Sequence, residues 1–433
     1  MQKTKVAIVG LGTVGSGVAR LLLDHGDRTA RHAGRVLWLE KAVVRDAAKA
    51  RGCDLPTGVL TTDLADVTGD PEIQVVAQLI GGLEPARTIM LQLLESGKDI
   101  VTANKALLAE HGAELFDRAR VLGRSIAFEA SVAGGVPIIA NISQCLSANQ
   151  ISSLRGILNG TSNFIVSQME ERGAAYDAAV KEAQAKGFAE ADPTMDVDGT
   201  DAAQKLAILA HLAFGARVHW NDIPRVGIDK LQVEDIRFAL EMGYRIKLLA
   251  VAQLLGDGLE LHVSPTLVQV GTPLAEVRGA NNAISAVGDA VGRVFFHGLG
   301  AGQMPTASAV VADMIDTAVG RTAITFKTLQ LWSEQEARVA MCDYANVPGR
   351  FYLRFMVEDH PGVLAKIAGA LGEHQISIAS VLQHEAPEDS DASVVPLIIM
   401  THSASEGSVQ QAMQAIDQFS DVKPGSVRMR VLD

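Results

Sequence analysis

Apolar residues follow different rhythms along this chain. In the first third, short β-branched runs, KVAIVG (5–10), VLWLEKAVV (36–44), IQVVAQLI (73–80), DIVTAN (99–104) and SIAFEA (125–130), are separated by helically spaced stretches such as VGSGVARLLLDHG (14–26). Strand runs separated by helices predict βαβ units and a parallel sheet. Beyond residue 137 the pattern changes. Long amphipathic helices are expected at YDAAVKEAQAKG (176–187) and TDAAQKLAILAHLAFG (200–215), followed by mixed patterns that include KLLAVAQLL (247–255) and LELHVSPTLV (259–268). GLGAGQMPTASAVVADMIDTAVG (298–320) reads as a glycine-rich loop feeding a helix, with 305–320 expected to pack back on the first domain. Residues 321–350 show no clear period and read as a linker.

The last segment is the cleanest. FYLRFMVE (351–358) places Phe351, Leu353, Phe355 and Val357 on one face, the period-2 signature of a half-buried strand. A DHPG turn (359–362), a helix VLAKIAGALGEH, a strand ISIASVLQH, a polar loop APEDSDA, a strand VVPLIIMTH, a helix over about 405–419 and a strand SVRMRVL complete βαββαβ, a ferredoxin-like module. The chain is thus expected to divide into 1–136, an α/β dinucleotide-binding domain; 137–320, an α+β domain; the linker 321–350; and the module 351–433.

With 433 residues the chain is long enough for two or three domains. A net charge of −12 argues against a nucleic-acid partner, since phosphate neutralisation needs a basic surface. Three widely spaced cysteines, Cys53, Cys145 and Cys342, form no CxxC pair and fit a reducing compartment. No apolar run approaches the ~18–20 residues that span a bilayer, and MQKTKVAIVG is too short for a signal-peptide core. A soluble, cytoplasmic protein is expected.

Gly10-Leu11-Gly12-Thr13-Val14-Gly15 is a GxGxxG directly after a strand and opening a helix. The first glycine permits the turn, the second lets backbone approach a pyrophosphate, and the third allows close helix–strand packing, the Rossmann arrangement. The second strand ends in Arg45 and Asp46. An arginine there accommodates the 2′-phosphate of NADP, whereas an acid favours NAD; Arg45 favours NADP, with use of NAD left open by Asp46. Other chemistries have less support. There is no GxxxxGK[ST] loop, no GxSxG elbow and no HxxxH pair.

EADPTMDVDGTDAAQK (190–205) crowds Glu190, Asp192, Asp196, Asp198 and Asp201 ahead of Lys205. Asp201 and Lys205 are i and i+4 on one helix face, and Thr200 or Asp198 is placed to cap that helix. A surface ion pair of this kind is worth only ~0.3–0.5 kcal/mol. The helix continues as LAILAHLAF, apolar nearly all round, so the pair is expected at a cleft edge. A lysine partly desolvated beside a carboxylate suits proton transfer to a carbonyl oxygen while a hydride arrives at carbon. Glu190 is then free to hold a cationic substrate group.

Together with VTANKALLA (101–109), FEASVAGGVPII (128–139), LNGTSNFI (158–165) and EDHPGVLAKIA (358–368), these motifs resemble bacterial homoserine dehydrogenase with a C-terminal ACT domain, over the whole chain. The resemblance implies interconversion of L-homoserine and L-aspartate 4-semialdehyde with NAD(P). It implies Lys205 as proton donor with Asp201 as partner, Glu190 and Asp196 as substrate-side acids, and Lys105 reaching cofactor and substrate. It also implies Gly187 and Gly302 as points of backbone approach to the cofactor, and a sodium or potassium ion held by oxygens of Glu129, Val132, Gly134 and Val136. The C-terminal module would sense an amino acid, by resemblance L-threonine, near residues 359–362, and the assembly would be a homodimer or homotetramer. Deletion of 351–433 would then leave activity and remove threonine sensitivity, unless the module is also needed for assembly. Two rivals are a related semialdehyde or amino-acid dehydrogenase, which would need a nucleophilic cysteine in a motif Cys145 lacks or a different substrate loop, and a non-catalytic amino-acid sensor that has kept the cofactor fold.

Overall fold

The computed structural model describes residues 2–256, 258–332, 339–384 and 394–432. Six parallel strands form the first sheet: β1 (Lys3–Val9), β2 (Val36–Val43), β3 (Leu60–Thr61), β4 (Ile73–Gln78), β5 (Asp99–Thr102) and β6 (Ile126–Ala127). Their order is β3-β2-β1-β4-β5-β6, so the chain reverses direction across the sheet between β1 and β4. In open α/β sheets, ligands bind outside the carboxyl ends of the strands at such a switch point. Most of β1 and β4 is buried, which explains the apolar runs 6–9 and 75–77 within them.

The helix Gln303–Ala318 returns to this domain and packs Ala307, Val310, Val311 and Met314 into its core beside Val18 and Leu22. A Cβ at Gly17 would lie 2.9 Å from Gln303 Cγ and 3.0 Å from Ala307 Cβ, so the two helices touch where that side chain is missing.

The second sheet contains β7 (Ile151–Ile157), β8 (Tyr244–Leu255), β9 (Gly258–Gln269), β10 (Asn281–Gly288) and β11 (Gly292–Leu299). KLLAVAQLL and LELHVSPTLV, whose period is mixed, are both long central strands buried on two faces. The sheet's helical side is formed by the helices Gly160–Arg172, Thr200–Phe214 and Val233–Glu241.

Residues 321–350 are not a plain linker. They hold a helix, Arg321–Leu329, the short strand β12 (Ala340–Met341), paired with β9, and a 3₁₀ turn at Tyr344–Asn346. The helix buries only Phe326, so it leaves no apolar period to read. Phe326 stacks on Phe116 at 5.3 Å, and Trp332 packs on Phe116 and Phe128 and stacks on His211 at 4.7 Å. This segment therefore joins the helix Lys105–Val121 of the first domain to the helix Thr200–Phe214 of the second.

The C-terminal module runs β13 (Pro348–Glu358), helix Val363–Glu373, β14 (Ile378–Gln383), β15 (Val394–Thr401), the two-residue β16 (Ala404–Ser405), helix Glu406–Ile416 and β17 (Val422–Leu432). Its order β17-β13-β15-β14 is antiparallel throughout. The polar loop 386–392 lies outside the described residues. The module is not a separate body, because β17 pairs in parallel with β9 and makes one continuous sheet with the second domain. Buried Arg354 binds Asp235 through Nε at 2.6 Å and Nη2 at 3.2 Å, and the Tyr352 hydroxyl donates to the same carboxylate at 3.0 Å. Arg430 reaches Glu260 of β9 at 2.5 Å. No helix among the described residues is long and apolar enough to cross a membrane.

Candidate active site

The glycine turn is built for close backbone passage. Gly10 has φ +101, and its amide donates to Val43 O at 2.9 Å, tying the turn to the end of β2. A Cβ on Gly15 would sit 2.0 Å from Gly10 O, whereas one on Gly12 would meet nothing within 4 Å. Gly15 therefore lets helix and turn cross, and open space lies beside Gly12. The helix Thr13–Asp24 starts at Gly12 with no side-chain cap and no acid in its first turn. Its first amides, including those of Thr13, Val14 and Gly15, are thus available to an anion such as a pyrophosphate. Leu11 is buried and Thr13 exposed in this turn. Arg45 and Asp46 are exposed just beyond β2, and Asp46 Oδ1 accepts the amide of Ala48 at 2.8 Å. These residues fit a nicotinamide dinucleotide.

Three elements bring the charged residues together. Asn104 follows β5 and caps the helix Lys105–Val121 by accepting Leu107 N–H at 3.1 Å, while its Nδ2 donates to Ile80 O and Gly82 O at 3.0 and 2.7 Å. Lys105 is thereby fixed at the carboxyl edge of the first sheet, and its Nζ lies 3.1 Å from Asp201 Oδ1. From the other domain, Lys205 Nζ donates to Asp201 Oδ2 at 2.7 Å and to Leu158 O at 2.7 Å. The side chains of Lys205 and Asp201 are only 12% and 8% exposed, so the pair is inside the cleft and not on its rim. Asp198, not Thr200, supplies the capping oxygen, accepting Thr200 N–H at 2.8 Å, while Gly199 stands at the N-cap with φ +87.

The electrostatics follow from this arrangement. Burial pushes the Asp201 carboxyl up, but Lys205 and Lys105 outweigh it and hold the acid at about 2. The Asp201 charge raises Lys105 against its own desolvation, with Asp196 and Glu190 adding to the effect. Burial raises Asp196, half-buried beside Asn159. The site thus holds an ionised acid between two ammonium groups, with a second acid more easily protonated nearby.

Other expected residues sit further out. Glu190 is exposed, its carbonyl accepting from Gln184 Nε2 at 3.2 Å. Gly187 has φ +72 in the turn after the helix Tyr176–Ala185, and Gly302, φ +124, heads the helix Gln303–Ala318. Glu129 is buried, and its carboxylate accepts the amides of Ile139 at 2.9 Å and Ala140 at 2.7 Å. Desolvation raises it, and the half-buried Asp313, which accepts the Glu129 amide at 2.8 Å, is pushed well above the ordinary carboxylate range by burial and the neighbouring Glu129 charge. Val132, Gly134 and Val136 are buried alongside, with Val136 O accepting Ile138 N–H at 2.8 Å. Oxygen ligands suit a hard cation, and here both Glu129 carboxylate oxygens and Val136 O accept backbone amides.

Asn159, Asn104 and Asn282 escaped the sequence reading. Asn159 Nδ2 reaches Asp196 Oδ1 at 2.7 Å and Asp201 Oδ2 at 2.8 Å, and Asn282 Nδ2 reaches Leu158 O at 2.9 Å. The available signal was that Asn104 and Asn159 each stand between a strand and a helix, where asparagine caps.

Comparison with known proteins places these features in a family. Residues 10–129 match the model described as homoserine dehydrogenase, NAD binding domain; 137–315 match homoserine dehydrogenase; and 351–421 match the ACT domain. Homoserine dehydrogenase of Pseudomonas aeruginosa is 43% identical over 439 aligned positions, covering 100% of this chain and 99% of that protein. The Bacillus subtilis enzyme is 38% identical, with 100% and 99% covered. A crystal structure of a homoserine dehydrogenase from Thiobacillus denitrificans superposes with a TM-score of 0.90 at 42% identity, covering 100% of this chain and 99% of that one.

Proposed function

The chain belongs to the homoserine dehydrogenase family, and from that premise we propose which residues carry its reaction. It is an NAD(P)-dependent oxidoreductase that interconverts L-homoserine and L-aspartate 4-semialdehyde. The turn at residues 10–15 and the amides that open the helix Thr13–Asp24 would hold a nicotinamide dinucleotide, which when bound would supply the hydride in the reducing direction and accept it in the other. Lys205 donates a proton to the aldehyde oxygen as the carbon is reduced, and its neutral form takes the hydroxyl proton back in the oxidation. The observation that carries this assignment is the bonding of its ammonium. Two of its three N–H groups are engaged, by Asp201 Oδ2 and Leu158 O, leaving one for a substrate oxygen. Asp201 holds that ammonium and, through Lys105, links the cofactor domain to the substrate domain. Glu190 takes the substrate amino group, Asp196 assists it, and Lys105 reaches cofactor and substrate.

Lys205→Ala is expected to lower kcat by about 10²–10⁴-fold, the usual range for a lost general acid, while NADPH binding persists. Turnover like wild type would refute the assignment. The non-catalytic sensor reading is not favoured, since the matched relatives are dehydrogenases over their full length.

NADP is the proposed preferred cofactor, supported by exposed Arg45 at the tip of β2. A sodium or potassium ion is proposed at Glu129, Val132, Gly134 and Val136, where it would have a structural role. L-threonine is proposed as the effector of the ACT module, near residues 359–362; the continuous β9–β17 pairing supports communication with the catalytic sheet. Assembly as a homodimer or homotetramer is proposed as well; among the described residues β11 ends the second sheet, and the Leu299 side chain at its end is 52% exposed.

A further inference from the structure

The peptide Leu158–Asn159 organises the site through two different groups. The Leu158 carbonyl accepts from Lys205 Nζ at 2.7 Å and from Asn282 Nδ2 at 2.9 Å. Asn159, 3% exposed, uses both N–H groups of its amide, one on Asp196 Oδ1 at 2.7 Å and one on Asp201 Oδ2 at 2.8 Å. Its Oδ1 accepts Ser162 N–H at 2.7 Å and caps the helix Gly160–Arg172.

Two neighbouring carboxylates repel, and a neutral side chain with two donors on one nitrogen can satisfy both at once. Serine offers one donor and too little reach; aspartate offers none when ionised. Asp201 Oδ2, which Asn159 holds, is also an acceptor of Lys205. Both acceptors that orient the Lys205 ammonium are therefore set by residues 158–159, one directly and one through the Asn159 amide.

We infer that Asn159 is a positioning residue of the reaction, which aims the Lys205 ammonium by holding Asp201 and Asp196 in one arrangement. This rests on the assignment of Lys205 and Asp201 to proton transfer.

Asn159→Ser in the full-length enzyme separates this role from the helix cap. Serine caps about as well as asparagine, adds no charge and does not reach the two acids. With L-homoserine and NADP+ its kcat is expected to fall about 10- to 100-fold, the equivalent of a lost hydrogen bond to a charged group, with NADPH affinity by fluorescence titration within about twofold of wild type. Asn159→Asp keeps both size and cap but replaces the donors with a third carboxylate. It is expected to lose at least as much, and it serves if the serine variant folds poorly. A kcat within about threefold of wild type in the folded variant, or a fall in kcat matched by an equal fall in NADPH affinity, overturns the proposal. Lys205→Ala in the same assay tells the two failures apart. If it is inactive while Asn159→Ser is active, only the role of Asn159 fails; if both are active, the site assignment fails.

Discussion

Removing the charge of Asp201 should cost the enzyme both stability and turnover. Asp201 is 5% exposed and meets Lys105, Lys205 and Asn159 at once. Asp201→Asn keeps the shape, but its Nδ2 must face at least one of these donors. The magnitude follows from linkage. The carboxyl is held at about 2 against about 3.9 for a free aspartate, a gap worth about 2–3 kcal/mol of folding free energy. Because the folded-state value is depressed, this contribution is present above pH about 4 and is lost as pH falls through about 2. Urea unfolding should therefore show the variant less stable by about 2–3 kcal/mol, with the difference flat from pH 8 to about 5 and closing only in stronger acid. Its kcat should also fall about 10- to 100-fold, the equivalent of a hydrogen bond to a charged group. Equal urea midpoints at pH 7.5, or a difference that shrinks near pH 6, would refute the reading of Asp201 as an ionised centre between two lysines.

Other outcomes follow from the same structure. Gly15→Val, whose Cβ would press on Gly10 O, should abolish NADPH binding in a fluorescence titration. Arg45→Ala should move the ratio of kcat/KM for NADP+ over NAD+ towards NAD+ by about tenfold, the scale of one phosphate contact. His211 is held neutral at about 4 by burial, its Nδ1 bonded to Ala216 O at 2.9 Å and its Nε2 accepting the Trp332 amide. The stability this gives is present above about pH 6.5 and lost as pH falls towards 4, so wild type should lose about 2–3 kcal/mol over that range and His211→Gln should show a flatter profile. Truncation after residue 350 should give an aggregating protein in place of an unregulated enzyme, as judged by light scattering. It bares the edge of β9 and strips Asp235 and Glu260 of their arginines, and one broken buried pair costs about 3–5 kcal/mol.

Of the two outcomes open for deletion of residues 351–433, the β9–β17 pairing favours the one in which the module is needed for structural integrity. The βαββαβ order of the module is legible because its strands alternate and its helices are amphipathic. The parallel pairing of β17 with β9 is not, since it joins residues far apart in sequence and β9 is buried on both faces. Five strands of the first sheet were legible for the opposite reason, each lying in a short apolar run, whereas β3 (Leu60–Thr61), two half-buried residues, left no run to read. The helix Arg321–Leu329 hid because a single buried phenylalanine makes no period. At the site, Asp201 and Lys205 stood out as i and i+4 partners on an otherwise apolar helix. Asn159 did not, because an asparagine between strand and helix signals a cap. Its second task depends on two acids brought to it by other parts of the fold.

The measurement that tests the account most directly is the initial rate at 340 nm with L-homoserine and NADP+ for wild type and Lys205→Ala, with NADPH binding measured on both. Wild type should reduce NADP+ in a homoserine-dependent manner, and the variant should lose that reaction while still binding NADPH. A wild-type rate in the variant would contradict the mechanism, and no reduction by wild type with either NADP+ or NAD+ would contradict the function itself.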